Sequence, residues 1–98
     1  MAPVPPALPE LFLYTRDGCH LCDEALAAIE GVFEERRHLA RAVPRLHIVD
    51  IAADPALERL YRERIPVIIF GDEELELAIG PRRIARLMER VLDGVTAA

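Results

Sequence analysis

Large apolar and aromatic side chains fill Leu11-Phe12-Leu13-Tyr14-Thr15, a run that predicts a buried strand. Past Arg16-Asp17-Gly18 the period changes. Leu26, Ile29 and Phe33 recur at three- and four-residue steps, with Ala25, Ala28 and Val32 beside them and charges opposite, predicting a helix over about 20–39. Arg37, His38 and Arg41 near its end suit the negative pole of that helix. Pro44 breaks the pattern, and Leu46-His47-Ile48-Val49-Asp50 reads as a second short strand.

Asp54-Pro55 marks the next helix start, because the aspartate caps free N–H groups and the proline, at the first helical position, loses no bond. This helix is expected to reach about Arg64 and to bury Leu57, Leu60 and Tyr61. Pro66-Val67-Ile68-Ile69-Phe70 reads as a third strand with proline at its entry, where the missing donor is tolerated. Gly71-Asp72-Glu73 turns the chain into a half-exposed fourth strand, in which Leu75, Leu77 and Ile79 alternate with Glu74, Glu76 and Ala78. The short connection makes these two an antiparallel hairpin. Gly80-Pro81 opens a last helix with Ile84, Leu87, Met88 and Val91 on one face, and Asp93-Gly94 closes it. The order is β-α-β-α-β-β-α, an α/β class. A helical crossover favours parallel pairing of the first two strands and the hairpin adds an antiparallel edge, so a four-stranded mixed sheet flanked by three helices is expected.

Ninety-eight residues suffice for one domain, set here at 11–93. Residues 1–10 read as a disordered proline-rich tail, since four prolines in the first nine positions forbid a helix, and 94–98 as a frayed end. A net charge of −5 argues against nucleic acid and anionic membrane surfaces, both of which attract basic patches. No stretch approaches the apolar length of a membrane span, the prolines near Met1 interrupt any signal-peptide core, and two cysteines are too few for a secreted disulfide scaffold. A cytoplasmic protein is expected.

The chemistry concentrates at Cys19-His20-Leu21-Cys22. Cys19 falls at the mouth of the first helix, where unpaired N–H groups favour negative charge and a thiol ionises more easily. Two intervening residues let Cys22 close a disulfide with Cys19. Two small buried hydrophobes are the plain alternative. Zinc is the chemical rival, with His20 as a third ligand, but structural sites take four protein ligands and the chain holds no second Cys pair.

A C-x-x-C after strand one of this pattern resembles a thioredoxin-like redox motif. From residue 11 to 93 the chain resembles the glutaredoxin branch of that superfamily. Leu13-Tyr14-Thr15-Arg16-Asp17-Gly18-Cys19 is similar to the glutaredoxin run of strand, Tyr, Ser/Thr, Lys/Arg, two variable residues and nucleophilic Cys. Ile65-Pro66-Val67 is similar to the Val/Ile-Pro before strand three, and Gly80 to a glycine before the last helix. Gly-Cys-His-Leu-Cys-Asp itself resembles a bacterial glutaredoxin-like subgroup.

The resemblance implies thiol–disulfide exchange, Cys19 attacking a protein or glutathione mixed disulfide and Cys22 resolving it. It also implies a cis bond at Pro66, with the backbone of Ile65 beside Cys19 to receive a substrate strand. Arg16 becomes a candidate for thiolate stabilisation or substrate binding, against a solvated turn residue pairing with Asp17. His20 is either a cation beside the thiolate or an exposed helix residue without a role. The implied partner is a disulfide-bearing protein met by a monomer, with no resident cofactor or metal and glutathione as the one candidate co-substrate.

Departures from the family shape the expectation further. His20-Leu21 stands where glutaredoxins have Pro-Tyr, and Gly80-Pro81-Arg82 where Gly-Gly and Ser/Thr-Asp hold the γ-glutamyl end of glutathione. No Trp precedes Cys19, and Leu13 occupies the place of the buried acid of thioredoxins. Arg82, Arg83, Arg86 and Arg90 make a basic stripe read as a solvated face, with two arginines at the helix start open to an anion. Weak use of glutathione is expected. The competing reading is a thioredoxin-fold binding or redox-sensing module whose cysteines do not turn over.

Overall fold

A computed structural model describes residues 8–94. The expectations for 1–7 and 95–98 lie outside the described residues. Within them Glu10 has a place of its own, with its carboxylate 3.2 Å from the His47 imidazole and 3.8 Å from Arg45.

The elements are β1 (Leu11–Thr15), α1 (His20–His38), β2 (Leu46–Asp50), a short 3₁₀ turn (Ile51–Ala53), α2 (Pro55–Tyr61), β3 (Val67–Phe70), β4 (Glu73–Leu75) and α3 (Pro81–Leu92). One mixed sheet runs in the order β2-β1-β3-β4, with β1 parallel to β2 and antiparallel to β3, and β3 antiparallel to β4. This is the α/β architecture the residue pattern predicts.

Alternation along β1 and β3 explains how two helical layers share one sheet. Leu11, Leu13, Ile68 and Phe70 face α1 and α3 in the main core, joined by Ala25, Ile29, Val32, Phe33, Ile84, Leu87 and Met88. Val67 faces the opposite side, where Ile51 and Tyr61 close a smaller cluster with Tyr14, Leu57, Ile65 and Ile69 against it. Central strands covered on both faces read as continuous apolar runs, which is what LFLYT and VIIF are. Burying each such side chain contributes about 1.5–3 kcal/mol.

Three details depart from expectation. Leu60 is half exposed, because α2 ends at Tyr61 and only Leu57 and Tyr61 reach the second cluster. The fourth strand stops at Leu75 rather than continuing its alternation to Ile79. Leu77 takes a left-handed backbone (φ 48°), so the pleat reverses: Leu77 and Ile79 point to solvent and Ala78 is buried. The 3₁₀ turn, with Asp50 accepting from the Ala52 N–H at 2.9 Å, carries no apolar period to reveal it.

One charged side chain is buried in the described part. Arg36, on the inner side of α1, donates to the Ala42 carbonyl at 2.6 Å and to both Asp93 oxygens at 3.1 and 2.8 Å. It ties the end of α1 to the end of α3. Its hydrogen bonds hold the Asp93 carboxyl below the usual aspartate range despite burial, with the charges of Arg36 and Arg41 adding to them.

Candidate functional site

β1 delivers the chain to the site. After Thr15, Gly18 adopts a left-handed conformation (φ 75°) and the Cys19 N–H donates to the Arg16 carbonyl at 3.2 Å, closing a tight turn. Cys19 is the N-cap of the 19-residue α1, with extended backbone. Its Sγ accepts the Cys22 N–H at 3.1 Å, taking the place of the oxygen that Ser or Asp supplies at such a cap. The two cysteines are joined as a disulfide, with Cα atoms 5.2 Å apart. They are not equivalent. Cys19 is partly exposed, whereas Cys22 retains 3% of its surface.

Strand register brings the other candidates to the same end of the sheet. Tyr14 stands opposite Val67, so Pro66 enters the sheet level with the residue that starts the Cys19 turn. The Ile65–Pro66 bond is cis. Beyond β4 the chain returns alongside this segment, Leu77 donating to the Arg64 carbonyl at 3.0 Å and Ala78 to the Pro66 carbonyl at 2.9 Å. Gly80 follows as the N-cap of α3, without a side-chain cap, and a Cβ added there would meet nothing within 4 Å. Cys19, Cys22, Arg16, Ile65, Pro66 and Gly80 therefore gather around one sheet end. The Ile65 N–H is committed to the Tyr61 carbonyl at 3.1 Å.

The charged candidates are differently placed. Arg16 reaches away from Asp17 and pairs with Glu58 of α2, nitrogen to oxygen 3.1 Å. The second Glu58 oxygen is buried with no hydrogen-bond partner among the described residues. His20 is exposed and lies along the helix, 3.3 Å from Glu24 four residues on. Arg83 does not wait at the start of α3: it donates to the Leu77 and Glu76 carbonyls at 3.1 and 3.2 Å. Arg90 pairs with Glu73 at 3.4 Å, so half of the basic stripe has internal partners. Beside Cys22, a cleft of about 160 Å³ is lined by apolar Leu13, Leu26 and Ile48 and by polar Thr15, Arg16, Asp17 and Asp23.

Below this end, Tyr14 and Tyr61 pack edge to face with ring centres 4.9 Å apart. Burial pushes the Tyr61 hydroxyl up from its ordinary pKa, helped by the Glu74 carboxylate, so it stays protonated at neutral pH. Among the described residues no group of three His, Cys, Asp or Glu side chains is placed to share a metal ion. Sequence reasoning did not single out Glu58 or Arg36. Arg36 does fall in the buried phase of Ile29, Val32 and Phe33, a signal that a reading of apolar residues alone passes over, whereas Glu58 carries no such mark in the period of α2.

The profile of the Glutaredoxin-like domain (DUF836) matches residues 10–93, nearly the whole described chain. The chain belongs to the glutaredoxin-like family. Among solved structures, target protein XcR50 from X. campestris is similar at 33% identity, aligning over 88% of this chain and 99% of its own with a TM-score of 0.63. Protein Ne2328 from Nitrosomonas europaea is 28% identical over 76% of this chain and 81% of its own, with a TM-score of 0.55. A glutaredoxin from Brucella melitensis, 24% identical over 96% of this chain and 100% of its own, shares the fold at a TM-score of 0.60. No curated protein matches the chain. Family and geometry agree on a thioredoxin-like fold carrying a C-x-x-C pair at the head of its first helix, the arrangement of a thiol redox site.

Proposed function

We propose that this glutaredoxin-like protein is a thiol–disulfide oxidoreductase acting on a disulfide-bearing protein. One observation carries the reading: the more exposed Cys19 caps α1 and takes the Cys22 N–H onto its sulfur, while Cys22 lies buried beneath it. An N–H donor and a helix start both favour the thiolate, and the thiolate is the attacking form. In the reduced protein the Cys19 thiolate attacks one sulfur of the substrate disulfide. A mixed disulfide forms and the other substrate sulfur leaves as a thiolate that takes a proton. Cys22, deprotonated, then attacks the Cys19 sulfur, releases the second substrate thiol and leaves the Cys19–Cys22 disulfide. The substrate gains two electrons and the protein loses two, and an external dithiol restores it. An extended substrate strand pairs through the carbonyl of Ile65, with Gly80 keeping the approach open. The cytoplasm, where thiols are kept reduced, suits such a couple; no helix among the described residues is long and apolar enough to cross a membrane.

Glutathione is a poor reductant in this reading. Pro81 removes one N–H from the start of α3, Gly80 offers no side-chain cap, and Arg83 is spent on backbone carbonyls. Each lost charge-assisted bond costs roughly 1.5–3 kcal/mol, about ten- to a hundredfold in affinity. The expected result is dithiothreitol-driven reduction of a protein disulfide such as insulin's, with a glutathione-coupled rate at least tenfold lower. Ordinary glutaredoxin rates with glutathione would overturn the reductant assignment, and an inert wild type in both assays would favour a binding or sensing module.

A further inference from the structure

Arg16 is the cation nearest in sequence to the reactive pair, yet its charge is already matched. Its guanidinium lies 3.1 Å from one Glu58 oxygen, although Asp17 is its immediate neighbour. The contact is one-sided. The other Glu58 oxygen is buried and without a partner, so the carboxylate is not neutralised by a two-pronged lock. Arg16 lines the cleft beside Cys22. Glu58 matches the guanidinium, and Asp17 and Asp23 add two further carboxylates to the lining of the same cleft. A carboxylate brought in beside a substrate sulfur must displace Glu58 from Arg16 and enter a field of the same sign. An ammonium or a neutral group faces no such barrier.

We propose that Glu58 is a specificity-determining positioning residue: by holding Arg16, it turns the site away from disulfides with a carboxylate near the sulfur and toward neutral or cationic ones. This rests on the oxidoreductase reading and deepens it by naming the substrate class. The filter acts through Arg16. Removing the Glu58 charge frees the guanidinium to meet an incoming carboxylate, so the preference relaxes only while Arg16 is present. Because Arg16 is half exposed, the effect weakens as salt screens it.

The test follows oxidation of the reduced protein by mass spectrometry in single turnovers with three small disulfides: anionic dithiodipropionate, neutral hydroxyethyl disulfide and cationic cystamine. Each rate is divided by that of free cysteine with the same disulfide. Wild type should rank cystamine above hydroxyethyl disulfide above dithiodipropionate, with the spread shrinking at high salt. Glu58→Gln should raise the dithiodipropionate rate about three- to tenfold, in line with a gained charged contact. It should leave hydroxyethyl disulfide within about twofold. Glu58→Ala should act in the same direction, which guards against a fold defect particular to one variant. In the double variant Arg16→Ala/Glu58→Gln the gain should vanish. Glu34→Gln, removing the same charge from the far half of α1, should change none of the ratios. If both Glu58 variants react with neutral disulfide as wild type does but show no rise with the anionic one, the filter is wrong and the exchange reading stands. If wild type is not oxidised by hydroxyethyl disulfide at all, the exchange reading falls and the filter with it.

Discussion

Cys19 does at the start of α1 what a serine or aspartate does elsewhere, and does so with a reactive atom. Its sulfur accepts the Cys22 N–H at 3.1 Å, so the residue that closes the helix end is also the one presented to solvent. The far end of the same helix is built less well. Ala40 takes a left-handed conformation (φ 54°), its N–H bonding to the Arg37 carbonyl at 3.0 Å and that of Arg41 to the Arg36 carbonyl at 2.8 Å. This double bond is the Schellman closure, which favours glycine because a Cβ is penalised there. Ala40 is exposed and buries nothing of consequence. Ala40→Gly should therefore stabilise the protein by about 0.5–1 kcal/mol, read as a higher urea midpoint with an unchanged slope. A lower midpoint would contradict the cap assignment. Residue-scale legibility in the sequence follows from the same logic. The reactive cysteines are readable because spacing and helix phase define them together. Leu77 is not, because a left-handed leucine leaves no mark in an alternating pattern. Glu58 is not, because its partner Arg16 is 42 residues away in sequence, from position 16 to position 58.

At the scale of elements, hydrophobic period carries most of the fold. The first three strands and all three helices lie close to where their patterns put them, since each buries apolar side chains between sheet and helices. The fourth strand fails after Leu75 because its continuation is drawn onto Arg64 and Pro66 by backbone bonds that no pattern encodes. The other hidden feature is the Arg36–Asp93 pair, which joins α1 to α3. Arg36→Ala would strand a carboxylate and the Ala42 carbonyl, at about 2–4 kcal/mol of stability. Asp93→Asn should cost less, about 1–2 kcal/mol at neutral pH. Because the folded Asp93 titrates below its ordinary value of 3.8, its contribution is complete above that pH and lost as pH falls through the folded value. Denaturant unfolding of wild type and Asp93→Asn should then give a gap that is constant from about pH 7 to 5 and narrows below about pH 4. A gap that widens on acidification would show the sign to be wrong.

For the whole molecule, the sheet acts as an aligner. β1 ends, β3 begins and the return from β4 passes at one end of the sheet, so cis Pro66 and Gly80 come to the end that carries the Cys19 turn although they lie 47 and 61 residues from Cys19, at positions 66 and 80. Sequence pattern gives the elements and the reactive pair, and the family resemblance supplies their meeting point. The charge pairs between elements distant in sequence, Arg16 with Glu58 and Arg36 with Asp93, are what the structure adds. The central claim is that Cys19 attacks and Cys22 resolves. Its most direct measurement uses reduced Cys22→Ser and Cys19→Ser proteins, each mixed with hydroxyethyl disulfide and mapped by peptide mass spectrometry. Cys22→Ser should accumulate a single stable adduct on Cys19, while Cys19→Ser should form its adduct on the buried Cys22 at least tenfold more slowly. Adducts forming at equal rates on the two sulfurs, or faster on Cys22, would contradict the account.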